Sequence, residues 1–278
     1  MVCVEAYAIF RVSPARDRPS SYKEDMECGI IAPMRWIYIS PHLDDAALSA
    51  GGFLYDQARA GIPVEIWTVV CGFPPPGELT PFAQVLHHVW GTGSAEETVE
   101  LRRAEDQEAA RILGAKPIYF DMPDCIYRRG PDGEPLYTDI YAQPHPAEAH
   151  LPDQVAQSLA PGLHADDQVI CQLGIGDHVD HVLVRRAAER LHCPLWFAAD
   201  VPYLFKQPGE LPPFVAGMQE SLHTITEAGL RAWVEAALAY KSQLSSLFES
   251  KEKLEEEIRA YYSERGGFSL WQSNQKVS

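Results

Sequence analysis

Several features that would indicate other classes of protein are missing or scarce in this sequence. No run of about eighteen apolar residues occurs, so the sequence predicts no membrane-spanning helix. Basic residues are scarce: 23 lysines and arginines stand against 39 acidic residues, and the formal net charge of -16 argues against a nucleic-acid partner. The six cysteines contain no Cys-x-x-Cys pair. This spacing favours reduced thiols in a cytoplasmic protein over a disulfide framework.

A dinucleotide-binding loop is also missing. The candidate Gly91-Thr-Gly93 lacks the third glycine and does not lie between a strand and a helix. Residues 1–33 have no sustained hydrophobic periodicity, and no basic segment followed by a long apolar core indicates a signal peptide there. We therefore predict a flexible tail over residues 1–33 and a single domain over residues 34–278, long enough for one large core.

The most informative stretch lies between residues 35 and 52. A run of β-branched and aromatic residues predicts a strand, and a helical pattern begins about six residues after that run. His42, Asp44 and Asp45 fall between them, at the carboxyl end of the strand, where α/β sheets bind ligands. An imidazole and two carboxylates suit a divalent metal, with one carboxylate left for proton transfer. The alternative is that the two carboxylates only cap the helix.

A second strand ends in residues of the same kind. Residues 168–173 predict a buried strand, and a glycine-rich loop leads from it into a helical pattern over residues 182–191. His178 and His181 are three residues apart, so both can face one centre from the start of that helix. Asp180 lies between them and can orient an imidazole.

The alternation of strand and helix patterns predicts the fold class. Strand patterns are separated by helical stretches along most of the chain. This order predicts an α/β fold with a mostly parallel sheet, helices on both faces and right-handed crossovers. In such a sheet the two loops described above lie at the same edge.

These motifs resemble the signatures of a known family. His42-Leu-Asp-Asp-Ala…Gly51-Gly52 is similar to the His-Pro-Asp-Asp-Glu…Gly-Gly signature of the PIG-L/LmbE-like N-deacetylases, and His178-Val-Asp-His181 is similar to their His-x-Asp-His signature. Further matches are Arg102-Arg-Ala-Glu105, Asp200-Val-Pro-Tyr203 and Tyr240-Lys-Ser-Gln243, so the resemblance covers residues 34–243. It implies a Rossmann-like fold and zinc-dependent removal of acetyl groups from amino sugars. Leu43 and Ala46 stand where the family has proline and glutamate.

The resemblance also implies a role for each site residue. One zinc ion per chain would be held by three residues: His42, Asp45 and His181. Asp44 would be the general base. His178 would stabilise the oxyanion or protonate the departing amine, and Asp180 would orient His178. A site of two histidines and one carboxylate can also hold iron or cobalt.

Three further residues are predicted to bind substrate. Arg102 belongs to the matching Arg-x-x-Glu motif, although a surface ion pair with Glu105 one turn away is the alternative. Asp124 follows a third predicted strand and either holds sugar hydroxyls or forms a turn. Tyr203 follows a later strand within a matching motif. The proline-containing segment over residues 72–96 is predicted to be a lid or a pocket wall, and the insertion over residues 127–152 is predicted to set substrate specificity.

Three functions are compatible with the sequence. The first is an N-deacetylase of a small-molecule amino sugar or its conjugate. The second is a metal-dependent amidase that cleaves a thiol conjugate or another acylated small molecule, because the same residues would hydrolyse any amide that the pocket admits. The third is a non-catalytic family member, suggested by Ala46. The oligomeric state is open, a homo-oligomer included.

Overall fold

The computed structural model describes residues 34–273, so the predicted tail over residues 1–33 lies outside the described residues. Seven strands form one sheet in the order β3-β2-β1-β4-β5-β7-β6. The strands are β1 (Trp36–Ser40), β2 (Val64–Thr68), β3 (Lys116–Tyr119), β4 (Gln168–Gln172), β5 (Leu195–Ala198), β6 (Met218–His223) and β7 (Phe268–Ser273).

Helices connect most of these strands. They are α1 (Asp45–Arg59), α2 (Pro81–Trp90), α3 (Ala95–Leu113), α4 (Leu151–Leu159), α5 (Val179–Ala188), α6 (Tyr203–Lys206), α7 (Leu211–Phe214), α8 (Glu227–Ala237), α9 (Lys241–Leu247) and α10 (Lys251–Arg265). Helix α2 lies inside the segment 72–96, for which the sequence predicted a lid or a pocket wall. Thr80 caps it, and Pro81 occupies its first turn, where proline is tolerated.

The prediction of a mostly parallel sheet is confirmed. Strands β1 to β5 pair in parallel, and β7 pairs antiparallel with both β5 and β6. Within the described part of the chain, β7 is therefore the strand that runs against the others. The chain leaves β1 towards β2 on one side and returns to β4 on the other. The gap between the loops after β1 and β4 is thus the switch point, where such sheets bind ligands.

Both faces of the sheet are covered, as the sequence predicted. In β1 the side chains of Trp36 and Tyr38 belong to one apolar cluster and those of Ile37 and Ile39 to another. The first cluster includes residues of α1, α3 and α8, and the second includes residues of α4 and α5. This alternation is what a strand buried on both faces requires.

The paired glycines of α1 serve helix packing. A Cβ atom on Gly51 would lie 2.9 Å from Cδ1 of Trp233, and one on Gly52 would lie 2.9 Å from Cγ2 of Ile225. The indole Nε1 of Trp233 donates to the carbonyl of Leu48 at 2.8 Å. Glycine at these two positions therefore lets α8 approach α1, which holds α1 against the sheet.

Two predictions from composition can be compared with the described residues. Cys71, Cys125, Cys171 and Cys193 are buried free thiols, as expected for structural cysteines; Cys3 and Cys28 lie outside the described residues. Among the helices of residues 34–273, none is long and apolar enough to cross a membrane. The cytoplasmic location stays a prediction.

Candidate active site

The loop after β1 is held in place by short-range hydrogen bonds. The hydroxyl of Ser40 donates to the carbonyl of His42 at 2.8 Å, and it accepts from the backbone N–H of Ala46 at 3.2 Å. The backbone N–H of His42 donates to Oδ2 of Asp45 at 2.8 Å. Asp44 occupies the capping position of α1 without a side-chain capping bond. Helix capping therefore does not account for the two carboxylates.

The loop after β4 is organised by His178. Its Nδ1 accepts a hydrogen bond from the backbone N–H of Asp180 at 3.1 Å and so caps α5. His181 follows in the first turn of α5, and His178, Asp180 and His181 are all buried. The loop is thus shaped so that both imidazoles face the loop after β1.

Three histidines and one aspartate meet between the two loops. Oδ2 of Asp45 lies 3.4 Å from Nδ1 of His42 and 3.4 Å from Nε2 of His181. His42, His178 and His181 each offer a nitrogen within 4.8 Å of the nitrogens of the other two. The predicted metal ligands are therefore brought together, with His178 beside them.

The donor set fits a metal ion such as zinc. Bonds of about 2.0–2.1 Å in tetrahedral geometry separate neighbouring ligand atoms by about 3.3–3.4 Å, which matches the distances from Asp45. Nδ1 of His181 lies 2.8 Å from Oδ1 of Asp200, and Nε2 of His42 lies 3.1 Å from Oδ2 of Asp180. A carboxylate thus holds the far nitrogen of each ring, which leaves the near nitrogen free as a ligand.

The electrostatics of this cluster also favour a cation. Burial alone would lower the pKa of His42, but its hydrogen bonds to Asp180 and Asp45 raise that pKa well above its usual value. The pKa of His181 is also raised, because Asp45 and Asp200 outweigh the effect of burial. Burial works against the charge on Asp45, yet the two imidazoles lower its pKa. The surroundings stabilise positive charge here, and a bound metal would displace protons from the imidazoles.

Asp44 lies in a different environment from its neighbour. Its Oδ2 is 3.5 Å from Nη2 of Arg102. Burial raises the pKa of Asp44 to about 7, and Arg102 is the main opposing influence. A general base works best with a pKa near the working pH, so this environment suits the predicted role.

His178 is neutral in this arrangement. Burial lowers its pKa well below the usual value, and the neighbouring His42 and His181 lower it further. Because Nδ1 accepts from the backbone, the ring proton of the neutral imidazole lies on Nε2. Asp180, which was predicted to orient an imidazole, contacts two of them. The Asp180 carboxylate contacts His42, and only the backbone N–H of Asp180 contacts His178.

The three predicted substrate-binding residues surround the cluster. The guanidinium of Arg102 lies against Asp44 and over the ring of Trp90, with its carbon 5.4 Å from the ring centroid. Oδ2 of Asp124 lies 3.8 Å from Nε2 of His42. Oδ1 of Asp124 also accepts from the N–H of Ile126, so this residue forms a turn as well. The ring of Tyr203 lies 5.6 Å from that of His181.

A small cleft, with a cavity volume of about 20 Å³, opens next to Arg102, the residue that contacts Asp44. Leu43, Trp90, Arg102, Asp124 and Tyr127 contribute to its walls. Part of the cleft wall thus comes from α2, within the segment predicted to line the pocket. Leu43, where the family has proline, is therefore a wall residue of the cleft. Ala46, where the family has glutamate, belongs instead to the apolar core.

Helix α3 connects the site to other segments of the protein through three side chains: Arg102, Glu105 and Asp106. Glu105 accepts from the backbone N–H and the hydroxyl of Ser242 at 2.8 and 2.6 Å. Asp106 accepts from the hydroxyl of Tyr240 at 2.8 Å. With Arg102 against Asp44, the alternative of an Arg102–Glu105 surface ion pair is not supported. These bonds connect the motif around Arg102 to the motif around Tyr240.

Two residues of the site were not assigned by the sequence. Asp200 was noticed only as part of a motif, although its position directly after β5 was a usable signal. Arg128 lies in the proline-rich insertion, and its Nη1 is 2.6 Å from Oδ1 of Asp180. A charged residue inside an irregular segment carries no periodic signal, so residue patterns did not predict this contact.

Comparisons with known proteins agree with this geometry. A family model described as GlcNAc-PI de-N-acetylase (PIG-L) matches residues 37–192, more than half of the chain. The 2'-N-acetylparomamine deacetylase of Niallia circulans is 29% identical over 235 residues, which cover 77% of this chain and 82% of that protein.

Solved structures of deacetylases are similar as well. A deacetylase from the biosynthesis pathway of teicoplanin, in complex with BOG, has a TM-score of 0.75 and 27% identity and covers 87% of this chain and 100% of its own. The zinc-inhibited form of the teicoplanin deacetylase Orf2 has a TM-score of 0.73 and 26% identity over the same shares of both chains.

Proposed function

Because the chain belongs to the GlcNAc-PI de-N-acetylase family, we propose that it is a hydrolase that removes the acetyl group from an N-acetylated amino sugar or its conjugate. One observation carries this proposal. Oδ2 of Asp45 lies 3.4 Å from a nitrogen of both His42 and His181, while Asp44 contacts Arg102, a wall residue of the cleft. The relatives named above are a deacetylase of 2'-N-acetylparomamine and a deacetylase of the teicoplanin biosynthesis pathway, so a small-molecule conjugate is the proposed substrate class.

We propose that His42, Asp45 and His181 hold one divalent cation, which supplies Lewis-acid polarisation of the amide carbonyl and lowers the pKa of a water molecule. Zinc is the first candidate, with iron(II) and cobalt(II) as alternatives. The description of a related deacetylase as zinc-inhibited makes the stoichiometry of zinc part of the test.

The protein's own residues then carry the proton. Asp44 accepts a proton from the attacking water as the new C–O bond forms, and Arg102 holds its carboxylate at 3.5 Å. The Nε2–H of His178 donates a hydrogen bond to the carbonyl oxygen as that oxygen becomes negative. Asp44 returns the proton to the nitrogen as the C–N bond breaks. Acetate and a free amine are the products.

His178 is assigned to the oxyanion because of its hydrogen bonding. Its Nδ1 is occupied by the backbone N–H of Asp180, and burial beside two other imidazoles disfavours the charged ring. A neutral imidazole can donate from Nε2 without first gaining a proton. Of the two roles that the resemblance left open for His178, we therefore propose the stabilising one.

The test is amine and acetate release by metal-stripped enzyme with a panel of N-acetylated substrates. The panel contains 2'-N-acetylparomamine, an N-acetylated glycopeptide pseudoaglycone, simple N-acetylglucosaminides and acylated amides without a sugar. Zinc, cobalt and iron(II) are each added from zero to several equivalents. We expect acetate release to reach its maximum near one equivalent of metal and to disappear in the variant His181→Ala.

Each alternative function predicts a different result. Turnover confined to the amides without a sugar would identify an amidase of another acylated small molecule. Stoichiometric metal binding without turnover of any substrate would favour a non-catalytic family member. Full turnover by metal-stripped enzyme in the presence of chelator would contradict the proposed chemistry.

A further inference from the structure

We propose that Arg128 is a positioning residue for the metal centre, which it serves by fixing the carboxylate of Asp180 that orients His42. This inference rests on the proposed function, because it takes His42 as a metal ligand. It assigns a task to a residue of the insertion over residues 127–152. It also connects that insertion physically to the metal.

The first step of the argument is the position of Asp180. Its carboxylate is fully buried. Oδ2 lies 3.1 Å from Nε2 of His42 and accepts from the backbone N–H of Cys125, also at 3.1 Å. This oxygen therefore determines which nitrogen of His42 faces Asp45.

The second step is the partner of the other oxygen. Oδ1 of Asp180 lies 2.6 Å from Nη1 of Arg128, and the Arg128 residue is only 7% exposed. A carboxylate without solvent contact depends on such a partner to keep one orientation. If Arg128 were removed, Oδ1 of Asp180 would lose its charged partner, the carboxylate would be held through Oδ2 alone, and the ring of His42 would be fixed less firmly.

The third step is that Arg128 is itself held from behind. Its Nε lies 2.8 Å from Oε1 of Glu148, and its guanidinium carbon lies 5.2 Å from the centroid of the Tyr137 ring. The hydroxyl of Tyr137 donates to Oε2 of Glu148 at 2.6 Å and accepts from the backbone N–H of His145 at 2.9 Å. The insertion thus fixes the guanidinium on the side facing away from Asp180.

A second buried arginine provides a matched control. Nε of Arg35 lies 2.9 Å from Oδ1 of Asp167, and Nη1 lies 3.1 Å from Oε2 of Glu65. Arg35 is 8% exposed, nearly the same as Arg128. It precedes β1, at the opposite end of the sheet from the site. Removing either guanidinium should disturb folding to a similar degree, while only one of the two is connected to His42.

The experiment measures the dissociation constant for zinc by competition with a chromogenic chelator, alongside urea unfolding of the metal-free proteins. The variants are Arg128→Met, Arg128→Lys, Asp180→Asn, the double variant Arg128→Met with Asp180→Asn, and Arg35→Met. We expect Arg128→Met to weaken zinc binding by about 10-fold or more, because residues that orient metal ligands commonly contribute 10- to 100-fold. Arg35→Met should change it by less than about twofold, and Arg128→Lys should recover part of the loss.

The double variant tests whether Arg128 acts through Asp180. If it does, adding Arg128→Met to Asp180→Asn causes no further loss of zinc affinity. Equal zinc affinities for Arg128→Met and Arg35→Met would overturn the positioning role. If Arg128→Met does not fold, Arg128→Lys against Arg35→Lys decides by the same criterion. If the wild-type protein binds no zinc, cobalt or iron(II) at one equivalent, the proposed metal centre itself is contradicted. If the wild type binds metal tightly and Arg128→Met binds it equally well, only the positioning role of Arg128 is contradicted.

Discussion

Two adjacent aspartates show how strongly the local environment separates the roles of identical side chains. Asp45 faces the imidazoles of His42 and His181, which lower its pKa against the effect of burial. Burial raises the pKa of Asp44 to about 7, although Arg102 opposes this. Neighbouring acids whose pKa values are pushed apart commonly divide the work of charge stabilisation and proton transfer. These two environments are the reason that we propose Asp45 as a metal ligand and Asp44 as the base.

The variant Asp44→Asn tests this division. An amide of nearly the same shape cannot accept the proton of the attacking water, so we expect kcat to fall by about 10²- to 10⁴-fold. Zinc affinity should stay close to that of the wild type, because the three proposed ligands are unchanged. Steady-state acetate release and the chelator competition measure the two quantities separately.

Asp121→Asn is the control for that variant. This carboxylate follows β3, as Asp44 follows β1; it lies 3.9 Å from Arg103, has a side chain that is 32% exposed and is outside the proposed machinery. It should keep nearly full turnover. A rate for Asp44→Asn within a few fold of the wild-type rate would rule out Asp44 as the base.

At the scale of elements, α3 joins the active site to the carboxyl-terminal third of the described chain. Asp106 on α3 is buried and accepts from the hydroxyls of Tyr240 and Tyr119, each at 2.8 Å. Burial raises the pKa of Asp106 to about 6, although both tyrosines oppose the shift. The folded protein therefore favours the protonated form of Asp106 more than the unfolded chain does.

This shift predicts a pH dependence of stability. A carboxyl group with a raised pKa in the folded state contributes its stability at low pH, and the contribution is lost as the pH rises from about 4 through about 6. The variant Asp106→Asn cannot ionise. The stability of this variant relative to the wild type should therefore increase as the pH rises: the difference in free energy of unfolding, variant minus wild type, should grow by up to about 3 kcal/mol between pH 4 and pH 7. Urea unfolding across this range measures the difference.

Asp166→Asn changes an exposed carboxylate and serves as the control, with a much smaller variation across the same pH range expected. A difference between Asp106→Asn and the wild type that is constant from pH 4 to pH 7 would show that Asp106 ionises alike in both states.

The elements also show what the sequence could predict. Strands β1 and β4 are buried on both faces, so they appear as continuous apolar or β-branched runs followed by polar loops. The family resemblance and the α/β class followed from them and are confirmed. Strands β6 and β7 were not predicted. Exposed and partly buried residues mix in β6, and its partner β7 lies beyond α10, so no local pattern connects the two.

The missed details of the site have a similar cause. The sequence placed Asp180 beside His178 because the two are close along the chain, whereas its carboxylate contacts His42 from 138 residues away. Arg128 reaches Asp180 from an irregular insertion. Contacts of this kind depend on how loops pack at the edge of the sheet, and residue spacing carries no information about that packing.

At the scale of the whole molecule, the active site belongs to a strongly acidic protein. The formal net charge is -16. A field of this sign attracts cationic ligands over distances comparable to the Debye length, about 10 Å at 0.1 M salt, and it does not act on neutral ones. Among the proposed substrates, an acetylated aminoglycoside carries further free amines and is cationic, whereas a simple N-acetylglucosaminide is neutral.

Salt should therefore affect these two substrates differently. We expect kcat/KM for 2'-N-acetylparomamine to fall several-fold between about 20 mM and 500 mM sodium chloride, because added ions screen the attraction that raises the encounter rate. For the neutral glucosaminide, kcat/KM should stay within about twofold over the same range, since its approach does not depend on the field. The neutral substrate also controls for effects of salt on the enzyme itself. Equal salt dependence for the two substrates would mean that the negative charge of the protein is distributed away from the cleft and plays no part in substrate capture.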